Sequence, residues 1–377
     1  MRKSVFIVTA IVIMTLMAAP VFAGGRRGAQ DDTIRIAVAF PMTGANAEYG
    51  QAFRVAAEIM TERFNREGGV LGKPVELVIF DDRNDPSEAV NIAERIVSDR
   101  SILAVLGHFA SGPAMAAAAI YQQYQVIQIS PTASHPDFSG IGNFIFRNNT
   151  VINVEIEAII DVMVNTLGIR NVGIVSIMTD WGHTAGNIAA DLVNAHPALN
   201  LVAHERVLET AIDHRPAIAN LVAAGTQGLI AVGMYGLYGP LASQFREVCP
   251  NVQFFGMSNA YTQQIIALGG AAVEGLIAPV SFFAGDDRPE IRDFVTEFTR
   301  RFGSSPSSLA AQAYDSMGIL LQAINDAGTT DRAAIRNAVN NIVFPGITGL
   351  TTFDANGDAD KVFQKVVIRN GRFVPFP

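Results

Sequence analysis

Residues 102–136 predict a strand–helix–strand unit. An apolar strand, 102–106, precedes a helix that begins near Gly112 and contains four consecutive alanines, which favour helix formation. A second apolar strand, 126–129, follows that helix. The crossover in such a unit is right-handed and its strands are parallel, so the loops after both strands open at one edge of a sheet. The sequence therefore predicts an α/β fold with parallel sheets.

Both of these loops carry small hydroxyl side chains. Ser111 follows the first strand, and the second strand leads to Thr132, Ala133 and Ser134. Hydroxyls and free backbone amides beside a helix N-terminus suit a small anion such as a carboxylate. We therefore predict one ligand site formed by both loops. Two alternatives remain, because Ser111 could serve only as a helix N-cap and the second loop's hydroxyls could only stabilise a turn.

The alternation of apolar strand and helix runs from residue 33 to about 150 and then begins again. This pattern predicts two doubly wound, Rossmann-like α/β lobes joined by a three-crossing hinge around a cleft. The predicted N-terminal lobe comprises 33–150 and 282–346, and the predicted C-terminal lobe comprises 151–281 and 347–377. A final hairpin is expected from strands 350–353 and 362–368.

Residues 1–23 resemble a secretory signal peptide, with a basic start, an apolar run over 5–19 and small residues before position 24. The alternative is a membrane anchor, which needs about 20 apolar residues, and Pro20 interrupts the run first. No cysteine follows that could carry a lipid. We therefore expect a periplasmic protein without a lipid anchor, and residues 24–32 as a leader.

Composition and missing motifs exclude several classes of function. The formal net charge of −8 argues against binding to nucleic acid or to an anionic membrane. The single Cys249 rules out an internal disulfide. The chain contains no phosphate loop, nucleophile elbow, zinc-binding histidine pair or dinucleotide fingerprint. His108 and His135 flank the predicted site, but neither loop contains an acidic partner, so we expect no metal, no cofactor and no enzymatic activity.

Five segments resemble the leucine/isoleucine/valine-binding family of periplasmic substrate-binding proteins, which serve ATP-driven importers. They are IRIAVAFPMTGANAEYGQ, GGVLGKPVELVIFDDRNDP, GHFAS with ISPTASHP, AYDSMGILLQAI, and ITGLTTFDANGD. Together they extend over nearly the whole chain after the leader. The resemblance implies the type I periplasmic binding protein fold. It also implies that a branched-chain amino acid, or a related small carboxylate or amide, is delivered to the membrane permease of an ABC importer. We expect a monomer.

The resemblance implies roles for several positions of the first lobe. Ser111, Ser134 and the backbone at Thr132 would hold the carboxylate and the ammonium of the ligand. Charge-assisted hydrogen bonds of this kind contribute about 1.5–3 kcal/mol each. Tyr49 stands where the family places an aromatic ring beside the ligand side chain, although it could instead pack on its own helix.

In the second lobe the resemblance implies that Trp181 and Tyr235 close over the ligand. The residue at position 258 departs from the family pattern. The amino-acid binders usually place an acid just after the strand at 252–256, where this chain has Ser258. A buried ammonium without an anion is unfavourable. Either Asp180 supplies the charge, although it could simply cap a helix, or the ligand is not a standard amino acid.

A different class of function uses the same fold. Related folds serve as ligand-sensing receptors and amide-responsive regulators. A sensor of this kind would need an attached signalling domain or a signalling partner. The sequence therefore leaves a receptor module as the alternative to a transport protein.

Overall fold

A computed structural model describes residues 33–377. The predicted signal peptide and leader lie outside the described residues. Residues 33–377 contain fourteen β-strands and eleven α-helices. No helix in this range has both the length and the apolar character needed to cross a bilayer.

The first lobe is built on a five-stranded parallel sheet. Its strands are β1 (Ile34–Phe40), β2 (Val75–Asp81), β3 (Ile102–Gly107), β4 (Ile127–Ser130) and β5 (Ile145–Arg147). The helices between them are α1 (Ala47–Arg66), α2 (Pro86–Ser98) and α3 (Ser111–Gln123). The strand order is β2-β1-β3-β4-β5, so the direction of winding reverses between β1 and β3. Ligands of such sheets bind in the crevice beyond the carboxyl ends of the strands.

The second lobe repeats this arrangement. Its parallel strands are β6 (Asn171–Ile177), β7 (Asn200–Val207), β8 (Gly228–Val232), β9 (Gln253–Gly256) and β10 (Ile277–Val280). Its helices are α4 (Ile152–Asp161), α5 (Asp180–Ala195), α6 (Arg215–Ala223), α7 (Tyr235–Val248) and α8 (Gln263–Gly269). A π-helical turn, Val162–Thr166, extends α4. Strand β8 is buried along its whole length, as expected for the interior of a parallel sheet.

The C-terminal part of the chain contributes to both lobes. Its elements are α9 (Pro289–Phe302), α10 (Ser308–Ala327), α11 (Arg332–Asn340), β11 (Phe344–Gly346), β12 (Gly349–Thr351), β13 (Gln364–Arg369) and β14 (Arg372–Pro375). Helix α10 packs on α1, β3 and β4 of the first lobe. Strands β13 and β14 complete a seven-stranded sheet of order β14-β13-β10-β9-β8-β6-β7. The chain therefore crosses between the lobes three times, and the predicted fold class is confirmed. The exact lobe boundaries stay a prediction.

The expected final hairpin is wrong. Strand β12 pairs with β11, and β13 pairs with β14, so the segments 350–353 and 362–368 do not pair with each other. The buried carboxylate of Asp315 explains the difference, because it accepts hydrogen bonds from the backbone amides of Ile347 and Thr348 at 3.0 and 2.8 Å. This contact holds the turn between β11 and β12 against α10.

The first crossing between the lobes is a buried polar segment. Asn148 Nδ2 donates to the Gln312 carbonyl at 3.1 Å, and Gln312 Nε2 donates to the Asn148 carbonyl at 3.0 Å and to Asn149 Oδ1 at 3.1 Å. Asn149 Nδ2 donates to the carbonyl of Thr132 at 3.1 Å. Helix α10 therefore fixes the crossing, and the crossing in turn fixes one of the predicted ligand loops.

Replacing Gln312 with Met should destabilise the protein. The substitution leaves the Asn148 carbonyl and Asn149 Oδ1 buried without this donor, and an unsatisfied buried polar group costs about 1–3 kcal/mol. Chemical denaturation measures the loss. The matched control is Gln322→Met on the same helix, where the side chain bonds an exposed partner, Asp326. Equal stability of the two variants would contradict this account of the crossing.

Candidate functional site

A cavity lies between the lobes, beyond the carboxyl ends of the strands that carry the predicted loops. About 380 Å³ of its space is free of protein atoms, including the part open to solvent. The first lobe and the crossings contribute Phe109, Ala110, Ser111, Thr132, Ser134, Asn149 and Leu309. The second lobe contributes Glu155, Trp181, Met234, Met257, Ser258 and Asn259. Five of the nine positions singled out from the sequence line this cavity: Ser111, Thr132, Ser134, Trp181 and Ser258.

Ser111 joins the two hydroxyl-rich loops of the first lobe. Its Oγ accepts hydrogen bonds from the backbone amides of Ser134 at 3.3 Å and His135 at 3.2 Å. The N-cap of α3 is Ala110, so Ser111 does not serve as the cap of its own helix. Thr132 Oγ1 donates to the carbonyl of Phe109 at 2.7 Å. The two loops meet at one edge of the sheet, as the sequence predicts.

The second loop is fixed on its core side by Ala133 and Arg147. The side chain of Ala133 is buried in the core, and its amide donates to Ser130 Oγ at 3.0 Å. The fully buried guanidinium of Arg147 donates to the carbonyl of His135 at 2.6 Å and forms an ion pair with Asp358. Ala133 therefore does not reach the cavity, and Arg147 positions the loop that carries Ser134.

His108 has a structural environment. Its Nδ1 lies 2.6 Å from Asp82 Oδ2, its Nε2 lies 3.3 Å from the hydroxyl of Tyr121, and it is fully buried. Sequence analysis missed this pair because Asp82 precedes His108 by 26 residues and follows a different strand. Within residues 33–377 no three His, Cys, Asp or Glu side chains are grouped so that they could hold a metal ion.

Trp181 forms a direct contact between the lobes. Its Nε1 donates to Ser134 Oγ at 3.0 Å, and the side chain is 9% exposed. Helix α5 begins at Asp180, directly after the Thr179 N-cap. A Cβ on Gly182 would lie 2.1 Å from the Ile177 carbonyl, so only glycine lets α5 start this close to β6. The tight turn directs the indole of Trp181 at the first lobe.

Tyr49 and Tyr235 close the cleft beside the cavity without lining it. The buried hydroxyl of Tyr49 donates to the Asn259 carbonyl at 3.0 Å and accepts from the Tyr235 amide at 3.3 Å. Their rings are 5.1 Å apart, and the ring of Tyr49 lies 4.8 Å from that of Phe109. Tyr235 donates in turn to the carbonyl of Ala45 at 2.5 Å. These rings support the cavity wall formed by Phe109.

Asp180 and Ser258 occupy different places. Asp180 is exposed and lines a neighbouring pocket at the mouth of the cleft, together with Glu209. Ser258 lines the cavity, and its backbone amide donates a hydrogen bond to the carboxylate of Glu155.

Glu155 is the acidic side chain that lines the cavity, and sequence analysis missed it. It lies on α4 and is 3% exposed. Burial raises the pKa of this carboxyl to about 7, although hydrogen bonds from Ser258 oppose the rise. One signal was available, because Glu155 shares the helix face of Ile152 and Ile159, and that face is otherwise apolar and buried.

The two-lobed fold with a cavity between its lobes is the architecture of a substrate-binding protein. The periplasmic binding protein model matches residues 33–370, and the chain belongs to that family. The leucine-, isoleucine-, valine-, threonine- and alanine-binding protein of Pseudomonas aeruginosa is 27% identical over 328 residues, which cover 87% of each chain. The resemblance found in the sequence is therefore confirmed.

Two solved structures support the same assignment. A structure from Rhodospirillum rubrum, assigned to branched-chain amino acid ABC transport, is 30% identical with a TM-score of 0.70, covering 91% of this chain and 100% of that one. A leucine-binding protein from Thermotoga maritima is 25% identical with a TM-score of 0.84, covering 91% and 98%. The family is periplasmic, in agreement with the expected location.

Replacing Ser134 with Ala should expose Trp181. The change removes the acceptor of the indole N–H, and a neutral hydrogen bond contributes about 1 kcal/mol, so the equilibrium constant between the closed and open arrangements should fall about five-fold. Trp181 is the only tryptophan, so acrylamide quenching of tryptophan emission measures its exposure directly. We expect stronger quenching in Ser134→Ala than in the control Ser87→Ala, which changes an exposed serine. Identical quenching would argue against the contact between the lobes.

Proposed function

We propose that this protein captures an amino acid or a related small carboxylate in the interlobe cavity and delivers it to the membrane permease of an ABC importer. The observation that carries the proposal is the composition of the cavity. The first lobe contributes the hydroxyls of Ser111 and Ser134, the second lobe contributes the carboxylate of Glu155, and apolar side chains of both lobes line the rest. The named relatives include a binder of leucine, isoleucine, valine, threonine and alanine.

The polar side of the cavity suits a carboxylate. Ser111 and Ser134 lie at the start of α3 and in the loop that Ser111 joins to it. The positive end of the helix dipole and unpaired N–H groups favour a negative charge at this place. In our proposal these two side chains and the backbone at Thr132 hold the ligand carboxylate.

The apolar side of the cavity suits a small aliphatic side chain. Phe109, Met234, Met257 and Leu309 all line it. Burial of aliphatic surface contributes about 25 cal/mol per Å². The flexible methionines can adapt to side chains of different shape, so we expect the protein to accept several aliphatic amino acids.

Closure of the cleft couples binding to delivery. The cavity is lined by both lobes, and Trp181 and Tyr49 already bond across the cleft. A ligand that contacts both lobes stabilises the closed arrangement, because it loses half of its contacts when the lobes separate. The permease would then recognise the closed form.

We propose that the protein is exported by means of a cleaved signal peptide. We also propose that it carries no lipid anchor and is a monomer. We further propose that the protein performs no catalysis and binds no nucleic acid. A sensor of the same fold would engage a signalling protein in place of a permease.

A thermal-shift screen tests this function. The probes are the twenty standard amino acids, followed by benzoate and short aliphatic carboxylates. A probe at 100 times its dissociation constant adds about 2.7 kcal/mol to the free energy of unfolding. We expect stabilisation by L-leucine, L-isoleucine, L-valine, L-threonine or L-alanine.

The same screen on Ser134→Ala should show binding weakened by about 10- to 100-fold, because the variant loses a charge-assisted hydrogen bond. The control Ser87→Ala should bind as the unchanged protein does. No stabilisation by any probe, or full affinity in Ser134→Ala, would contradict the proposed function.

A further inference from the structure

We infer that Glu155 supplies the negative charge that binds the ligand's ammonium group, so that the cavity selects zwitterionic amino acids over plain carboxylates and amides. This inference rests on the proposed function and adds the substrate class to it. The negative charge that pairs with the ammonium group is then on helix α4. Neither Asp180 nor the residue at position 258 provides it.

The first support is the geometry around Glu155. Its side chain is almost fully buried and lines the same cavity as Ser111 and Ser134. Within residues 33–377 its hydrogen-bonding partner is Ser258, whose backbone amide donates to the carboxylate. No arginine, lysine or histidine in this range forms an ion pair with it. A buried carboxylate without a cation is unfavourable, and a ligand ammonium would remove that penalty.

The second support is the division of charge between the lobes. The first lobe offers the hydroxyls of Ser111 and Ser134, and the second lobe offers a carboxylate. A zwitterion matches both at once, whereas a plain carboxylate leaves Glu155 without a partner. Ser258 orients Glu155 through its amide, which explains how a serine can occupy a position where an acid was expected.

The third support is that other ionisable groups around α4 lie elsewhere. On α5, which packs against α4, Asp180, His183 and Asp191 are exposed. Strand β10, the π-helical turn and the turn at 258–260 contain no ionisable side chain, and Lys365 on β13 pairs with Asp161 at 3.5 Å. Tyr238 on α7 is buried and its pKa is raised by burial and by Glu155, so its hydroxyl stays neutral. On α4 itself, Glu157 and Asp161 are exposed.

The test compares Glu155→Gln with Glu157→Gln, which changes an exposed carboxylate on the same helix. Calorimetry at pH 8 measures the affinity for L-leucine, L-valine and L-alanine, and for their deaminated counterparts 4-methylpentanoate, 3-methylbutanoate and propanoate. We expect Glu155→Gln to weaken amino-acid binding by about 30-fold or more. Binding of the deaminated acids should stay equal or improve, and Glu157→Gln should match the unchanged protein. An equal loss for both probe classes, or no loss for the amino acids, would overturn the inference.

A pH series on the unchanged protein gives a second readout that does not depend on a variant. The ammonium binds the ionised carboxylate, so protonation of Glu155 competes with the ligand. Because burial raises the pKa of Glu155 to about 7, amino-acid affinity should fall as the pH is lowered from 8 to 5. Affinity that is constant between pH 8 and pH 5 would overturn the inference.

The two proposals fail in distinguishable ways. If Ser134→Ala weakens binding but the deaminated acids bind the unchanged protein as tightly as the amino acids do, the solute-binding function stands and the role of Glu155 falls. If no amino acid and no carboxylate binds the unchanged protein, both proposals fall.

Discussion

The parallel pairing of β3 with β4 is the constraint on which the site depends. It brings the loop of Ser111 beside the loop of Ser134, and the Ser111 hydroxyl then joins them through backbone amides. Arg147 donates a hydrogen bond to the His135 carbonyl of the second loop. Asn149, in the first crossing between the lobes, donates a hydrogen bond to the Thr132 carbonyl of the same loop. The first lobe therefore holds the hydroxyls of Ser111 and Ser134 in fixed positions at the cleft.

The second lobe adds what the first lobe lacks. Its Trp181 donates a hydrogen bond across the cleft to Ser134, its Asn259 carbonyl accepts one from Tyr49, and its Glu155 places one carboxylate in an otherwise neutral cavity. A low-dielectric cavity strengthens the attraction between this carboxylate and a ligand cation. Selectivity and closure would then have one cause, because a zwitterion bridges donors on one lobe and an acceptor on the other.

The sequence predicts local features well and long-range contacts poorly. Apolar runs and their spacing predict the strands, the two lobes and the meeting of the Ser111 and Ser134 loops. Glu155 was missed because it contacts Ser258 across 103 residues of chain, and no local pattern joins the two. The pairing of β11 with β12 escaped for the same reason, since Asp315 on a distant helix fixes their turn. Side chains that act through tertiary contacts leave only indirect signals, such as a charge on a buried helix face.

A crystal structure with the amino acid that stabilises the protein most is the direct test of the central claim. We predict that the ligand carboxylate contacts Ser111 and Ser134, and that its nitrogen lies about 2.7–3.2 Å from a carboxylate oxygen of Glu155. A ligand nitrogen held by other groups, with Glu155 turned away from it, would contradict the account.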